Sequence, residues 1–232
     1  MEKQKPWSIP PKWSELSRGG FGGVEPEAGS WPMFFFKKHM FRGMITLYGE
    51  PVSLDPVDPY TIDFKGEQLE VVKQTLRNLT PQQIKMAKLY AETTPTEDWA
   101  FVINELIEKY DINPPRAARI MGICKAALND TMIVTWDIKY STDIARPDQI
   151  DPTIQTVIPT PRFPAYPSGH STMAGCAEVI LSHFFPEETV RLTQKANNIA
   201  QSRLYAGVHF PIDNEEGLRL GRQIGNHVIK LI

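Results

Sequence analysis

A chain of 232 residues is long enough for one sizeable hydrophobic core or at most two small ones. With 41% apolar residues, 22% charged residues and a formal charge of -2, it reads as an ordinary soluble globular protein with no basic footprint for a nucleic-acid partner. No apolar run approaches the roughly 18 residues that a membrane span needs. The polar start Met1-Glu2-Lys3-Gln4-Lys5 leads into no secretory core, so the expected compartment is the cytoplasm, with a removed targeting segment left open.

Residues 1–64 are rich in proline, glycine and aromatics: Pro6, Trp7, Pro10, Pro11 and Trp13, then Gly19-Gly20-Phe21-Gly22-Gly23. The glycine cluster lacks the Lys-Ser/Thr that completes a phosphate loop. Phe34-Phe35-Phe36, Met40, Phe41, Met44, Ile45 and Leu47 make the stretch too apolar for a disordered tail. It reads as an extended arm that wraps a helical body or docks on a second subunit, so a homodimer is expected.

From Glu67 the apolar residues recur at helical spacing: Leu69, Val72, Leu76 and Leu79. Thr80-Pro81-Gln82-Gln83 is a capping-box start for a second helix, and Thr96-Glu97-Asp98 opens a third with Trp99, Val102, Ile103 and Leu106 as its stripe. Asn113-Pro114-Pro115 begins a long fourth helix expected to run to about Ala145 and to end at Arg146-Pro147. A proline-marked loop over 148–162 precedes a small-residue helix at about 168–185. Another helix spans about 187–206, and the last starts at Pro211 with Asp213 in its first turn. The expected fold class is all-α, a single helical-bundle domain over 65–232 preceded by the arm over 1–64. Cys124 and Cys176 read as reduced core residues, and His39, His183 and His227 as surface or interface histidines outside any spaced cluster.

The stretch Phe163-Pro164-Ala165-Tyr166-Pro167-Ser168-Gly169-His170 carries the chemistry. Ser168 offers an N-cap and Gly169 removes a Cβ from the path of an approaching group. The first turn then presents unpaired N–H groups at the positive end of the helix dipole, a place to hold an oxyanion, with His170 beside it. On the fourth helix, Trp136, Lys139 and Arg146 at spacings of three and seven are expected on one face. Two cations on an otherwise apolar helix call for an anion. In the segment from Ser202 to Asp213, Arg203 and His209 flank a helix junction at Gly207. Asp213, four residues after His209, can accept one imidazole N–H and leave the other nitrogen free.

Lys139, six residues and Arg146-Pro147; Pro167-Ser168-Gly169-His170; then Ser202-Arg203, five residues, His209, three residues, Asp213: this three-part signature resembles the vanadium-dependent haloperoxidase and type-2 phosphatidic acid phosphatase superfamily. The resemblance implies that Lys139, Arg146, Ser168, Gly169, Arg203 and His209 surround one tetrahedral oxyanion, vanadate or phosphate. It implies a catalytic His170, His209 and Asp213, with His209 the vanadium ligand when vanadate is the cofactor. Trp136 and Phe163 resemble the aromatics that line the halide side in the chloroperoxidase branch. The leading expectation is thus an oxidoreductase that oxidises halide with hydrogen peroxide. The alternatives are a soluble acid phosphatase, a cofactor-free hydrolase that works on phosphate monoesters through a phosphohistidine, and a non-catalytic phosphate-binding protein.

Overall fold

The structure, a computed structural model, describes residues 9–16, 22–41 and 43–232. Trp7, Pro6 and the Gly19-Gly20-Phe21 part of the glycine cluster lie outside them. Eight helices are seen among the described residues: α1 (Glu67–Arg77), α2 (Pro81–Glu92), α3 (Pro95–Lys109), α4 (Pro114–Thr142), α5 (Pro147–Ile150), α6 (Gly169–Phe184), α7 (Thr189–Tyr205) and α8 (Pro211–Ile229). None is long and apolar enough to cross a membrane. Thr80 and Thr94 each close a reciprocal capping box, with Gln83 and Glu97, so α3 begins at Pro95 rather than at Thr96. Asn113 caps α4 and Ser168 caps α6 through their side chains.

The fold class is all-α. Within the arm lies a small antiparallel sheet that hydrophobic periodicity did not announce: β1 (Phe36–His39), β2 (Gly43–Thr46) and β3 (Pro51–Val52), in that spatial order. Phe36 and Val52 are buried in the same core as Val102 and Leu106 of α3, Leu128 of α4, Ile180 of α6 and Ile224 of α8. The arm is pinned by a buried carboxylate as well. Asp130 of α4 accepts the Phe34 and Phe35 N–H groups at 2.8 and 2.7 Å. Cys124 and Cys176 are free and buried in that core.

One expectation fails. The fourth helix does not reach Ala145, and Arg146 does not share a helix face with Lys139. Asp143 turns left-handed at φ +54° and donates its N–H to the Lys139 carbonyl, closing α4 at Thr142. Ile144 then pairs with Lys12 of the arm, Ala145 donates to the Pro11 carbonyl, and Arg146 stands at the N-cap of the short α5. The competing partner comes from far away in sequence, beyond the reach of any local pattern.

Helix α6, the element that carries Ser168-Gly169-His170, packs most intimately on α8. Glycines make the approach possible. A Cβ on Gly221 would clash with the Thr172 carbonyl, one on Gly175 with the Leu218 carbonyl, and one on Gly217 would stand 2.7 Å from the Ser168 carbonyl. This near-contact of backbones lets the Ser168 N–H donate to the Asp213 carbonyl at 2.9 Å, joining the starts of the two helices. Gly221→Ala should therefore cost at least about 2 kcal/mol of stability through overpacking. Gly122→Ala, mid-helix in α4 and exposed with nothing within 4 Å of the added Cβ, should stabilise by about 0.5–1 kcal/mol. Urea denaturation of the two variants checks both signs.

Candidate active site

Three helix ends meet. The C-terminal part of α4 supplies Trp136 and Lys139, the start of α6 supplies Gly169 and His170, and the α7–α8 junction supplies Arg203 and His209. Gly207, at φ +76°, ends α7 and donates to the Leu204 carbonyl, and Pro211 starts α8 four residues on. Trp136, Phe163, Gly169, His170, Arg203 and His209 all line one cavity of about 120 Å³. Larger grooves of about 480 Å³ beside Trp13 and Thr160, and about 450 Å³ beside Lys73 and Thr153, gather no histidine.

Behind that cavity the cations are held by carbonyls. Lys139 Nζ donates to the Pro164 and Ala165 carbonyls, both at 2.8 Å. Arg146 Nε donates to the Phe163 carbonyl at 3.0 Å, and its Nη2 to that of Pro164 at 3.3 Å. Its Nη1 donates to the Val208 carbonyl at 2.7 Å and lies 2.9 Å from His209 Nε2. Arg203 donates to Ser202 Oγ at 3.0 Å and to the Ala87 carbonyl at 3.1 Å. All three side chains are buried, and none forms an ion pair with a carboxylate among the described residues. The two carboxylates that act on Arg146 from a distance are engaged elsewhere: Asp148 accepts the Thr160 hydroxyl, and Asp213 serves His209.

Asp213 Oδ2 accepts His209 Nδ1–H at 2.9 Å and the Phe210 N–H at 3.0 Å. With a guanidinium N–H aimed at Nε2 from the other side, the imidazole is fixed in the Nδ1–H tautomer and Nε2 keeps its lone pair. Burial, then Arg146 and Lys139, hold His209 well below the ordinary histidine range. His170, which keeps a partial opening to solvent, is pushed down to about 3 by burial and by Arg203, with the Tyr90 carbonyl pulling the other way. Burial pushes Arg146 and Arg203 each down to about 10 and depresses Lys139 well below 10.5; the same burial drives Asp213 upward against the pull of the Phe210 N–H and the cations. Burial, which takes charge out of water, is the largest cause of every one of these shifts.

The residues expected from sequence, Trp136, Lys139, Arg146, Phe163, Ser168, Gly169, His170, Arg203, His209 and Asp213, are thus brought together. Lys139 and Ser168 stand just behind the cavity wall; Ser168 Oγ accepts Ser171 Oγ–H at 3.0 Å and caps α6. Phe163 lies against Trp136 with ring centroids 4.8 Å apart. Its own ring has Lys139 Nζ at 5.2 Å and the Arg146 guanidinium at 5.0 Å. Sequence reasoning missed Met132 and Val208 on the cavity wall, and the Ala87 and Tyr90 carbonyls of α2 that face Arg203 and His170. Met132, one turn before Trp136 on α4, was within reach of the helical spacing.

A bundle that closes three buried cations and two neutral histidines around one small cavity defines the class. Residues 119–232 match the PAP2 superfamily. Among solved structures, the fold is similar to that of a bacterial vanadium-dependent iodoperoxidase (TM-score 0.77, 22% identity over 97% of this chain and 61% of that one). It is similar as well to a bacterial vanadium-dependent chloroperoxidase (TM-score 0.71, 15% identity, 96% and 62%). A third likeness is to the transmembrane PAP2-type phosphatidylglycerolphosphate phosphatase of Bacillus subtilis (TM-score 0.53, 17% identity, 71% and 83%). The chain spans about three-fifths of the length of the two peroxidases. No curated protein matches it.

Two outcomes follow from the electrostatics. Both imidazoles are depressed below their unfolded value near 6.5, so the unfolded chain takes up protons that the fold refuses. The histidines' contribution to stability is therefore complete above about pH 6.5 and is lost as pH drops toward 3, by at most about 1.4 kcal/mol per pH unit for each, while the raised Asp213 acts in the opposite sense over the upper part of that range. Urea denaturation from pH 7 to pH 4 should show a shallower decline in His209→Asn than in the wild type. Separately, Arg146→Ala or Arg203→Ala should weaken orthovanadate or phosphate binding by about 2–4 kcal/mol, as for a desolvated charge-assisted contact; calorimetric titration showing less than a twofold loss contradicts the assignment.

Proposed function

We propose that the chain is a vanadate-dependent haloperoxidase-like enzyme that oxidises halide with hydrogen peroxide in this cavity. The observation that carries the reading is the set of three buried cations, without ion-pair partners among the described residues, around a space walled by Trp136 and Phe163. A multiply charged tetrahedral anion compensates that charge, and guanidinium forks suit its oxygens. The fit extends to Gly169: a Cβ there would come into ordinary contact with Trp136 and Met132, at 3.6 Å and beyond, on the cavity side of α6, space that the glycine leaves open. Lys139, Arg146, Ser168, Gly169 and Arg203 would hold vanadate, and His209 Nε2 would ligate it. Bound vanadate supplies a Lewis-acid centre that activates peroxide toward halide.

The protein's own residues do the rest. Asp213 orients His209 and keeps Nε2 available. Arg146 gives up Nε2 as a partner and turns its charge to the oxyanion. His170, neutral at working pH and open to the cavity, takes up and returns the proton of the incoming oxygen nucleophile. Trp136 and Phe163 keep water from the halide side.

A second reading draws on the state of His209. A neutral imidazole with Nδ1–H held by a carboxylate, and an unprotonated Nε2 that Arg146 can release, is what a nucleophile attacking phosphorus requires. In a phosphatase, a bound phosphate dianion would offset the cations that depress His170 and let it take up a proton; His209 would then attack phosphorus while His170 gives that proton to the leaving oxygen and afterwards activates the water that cleaves the phosphohistidine. Paired assays separate the two. Protein reconstituted with orthovanadate should brominate or chlorinate a reporter when given peroxide and halide, and His209→Ala should abolish this while leaving the fold intact. Hydrolysis of nitrophenyl phosphate, with vanadate only inhibiting, assigns the phosphatase. Phosphate binding with neither activity assigns a binding protein.

A further inference from the structure

A second compartment adjoins the cavity and belongs to neither reading. It measures about 170 Å³ and is walled by Val24, Ala28 and Trp31 of the arm and by Met132, Ile133 and Trp136 of α4. Met132 and Trp136 also wall the anion cavity, so the two spaces share a partition. Polar groups stand only at Glu25 and Asn129.

The compartment is built rather than incidental. The Val24 carbonyl accepts Trp136 Nε1–H at 3.0 Å and the Tyr140 hydroxyl at 2.9 Å, and the Val24 N–H donates to the Arg162 carbonyl at 3.1 Å. At Gly29 the arm lies so close to α4 that a Cβ would come within 2.7 Å of the Asp137 backbone. Asp130 fixes the arm again at Phe34 and Phe35. Between these anchors Trp31 remains half exposed, so the compartment opens to solvent beside an indole.

We propose that this compartment is a subsite for one aromatic ring of the organic substrate, the ring that accepts halogen or the ring of an aryl leaving group. The proposal rests on the reading of the neighbouring cavity as the reacting centre. Size sets the first limit: an apolar cavity of about 150 Å³ holds one benzene, so a space of about 170 Å³ admits one ring and no polymer or long acyl chain. Chemistry sets the second. An apolar lining offers no counter-charge to an anion, Glu25 repels one, and two indoles in the lining, Trp31 and Trp136, favour an aromatic ring over a saturated chain. The shared partition sets the third, because only Trp136 and Met132 are common to both walls and so a ring bound there lies beside the cavity that His209 and His170 line.

The test uses phenol as probe, with cyclohexanol as the saturated control, and titrates binding to the full chain by saturation-transfer NMR and calorimetry. Phenol should bind more tightly than cyclohexanol. Ala28→Leu, which fills the compartment, should raise the phenol Kd about tenfold while leaving the orthovanadate Kd within about twofold. Should Ala28→Leu displace the arm and fail to fold, Trp31→Ala removes a half-exposed wall and should weaken phenol binding in the same direction. A phenol Kd indifferent to both substitutions, or cyclohexanol binding as well as phenol, overturns the proposal. Phenol binding that depends on Ala28 in a chain that binds no orthovanadate supports the ring site and overturns the oxyanion reading instead, so the two failures are distinguishable.

Discussion

Three positive charges buried around one small cavity, with no carboxylate among the described residues in contact, are the constraint on which the structure turns. Isolated in a low-dielectric interior, Lys139, Arg146 and Arg203 would each be costly. The fold meets part of that cost with backbone carbonyls: Phe163, Pro164 and Ala165 surround Lys139 and Arg146, Val208 reaches Arg146, and Ala87 reaches Arg203. Carbonyls satisfy hydrogen-bonding needs but leave the net charge in place. That residual field adds to burial in holding both histidines below their ordinary range.

The same constraint explains the odd local structure at the site. A lysine and an arginine seven residues apart could have sat on one straight helix. Instead α4 stops at Thr142, and Arg146 approaches the Phe163–Ala165 segment from the start of α5, so that Lys139 and Arg146 reach adjacent carbonyls. The glycines between α6 and α8 act to the same end. They draw the Ser168-Gly169-His170 turn against the start of α8, which places Asp213 behind His209 and joins its carbonyl to the Ser168 N–H.

The arm is part of the site's mechanics. Its Val24 carbonyl holds the Trp136 indole, Trp136 packs on Phe163, and Phe163 lies beside both Lys139 and Arg146. A segment rich in glycine and proline at the start of the chain is thereby coupled, through two rings, to the charges more than a hundred residues later. The short sheet within it joins the helical core through Phe36 and Val52.

Helix positions were readable in the amino-acid sequence because periodicity and caps are local: Thr80, Asn113, Ser168 and Pro211 mark their helices by side chains that act within one turn. The His209–Asp213 pair was readable for the same reason, four residues apart across a helix start. The residue set of the site followed from spacing within three short segments, helped by a family resemblance. Only the tertiary structure decided where α4 ends, because Lys12 and Pro11 compete for the backbone at Ile144 and Ala145. Only it revealed the strands of the arm, whose apolar residues lack a clean alternation, and the carbonyls of Ala87 and Tyr90 that face the cations and His170. The ring-sized compartment likewise depends on where Gly29 and Val24 settle on α4. Local sequence carries the physics of one turn or one cap; volume, burial and the electric field are sums over segments that meet only when the chain has folded.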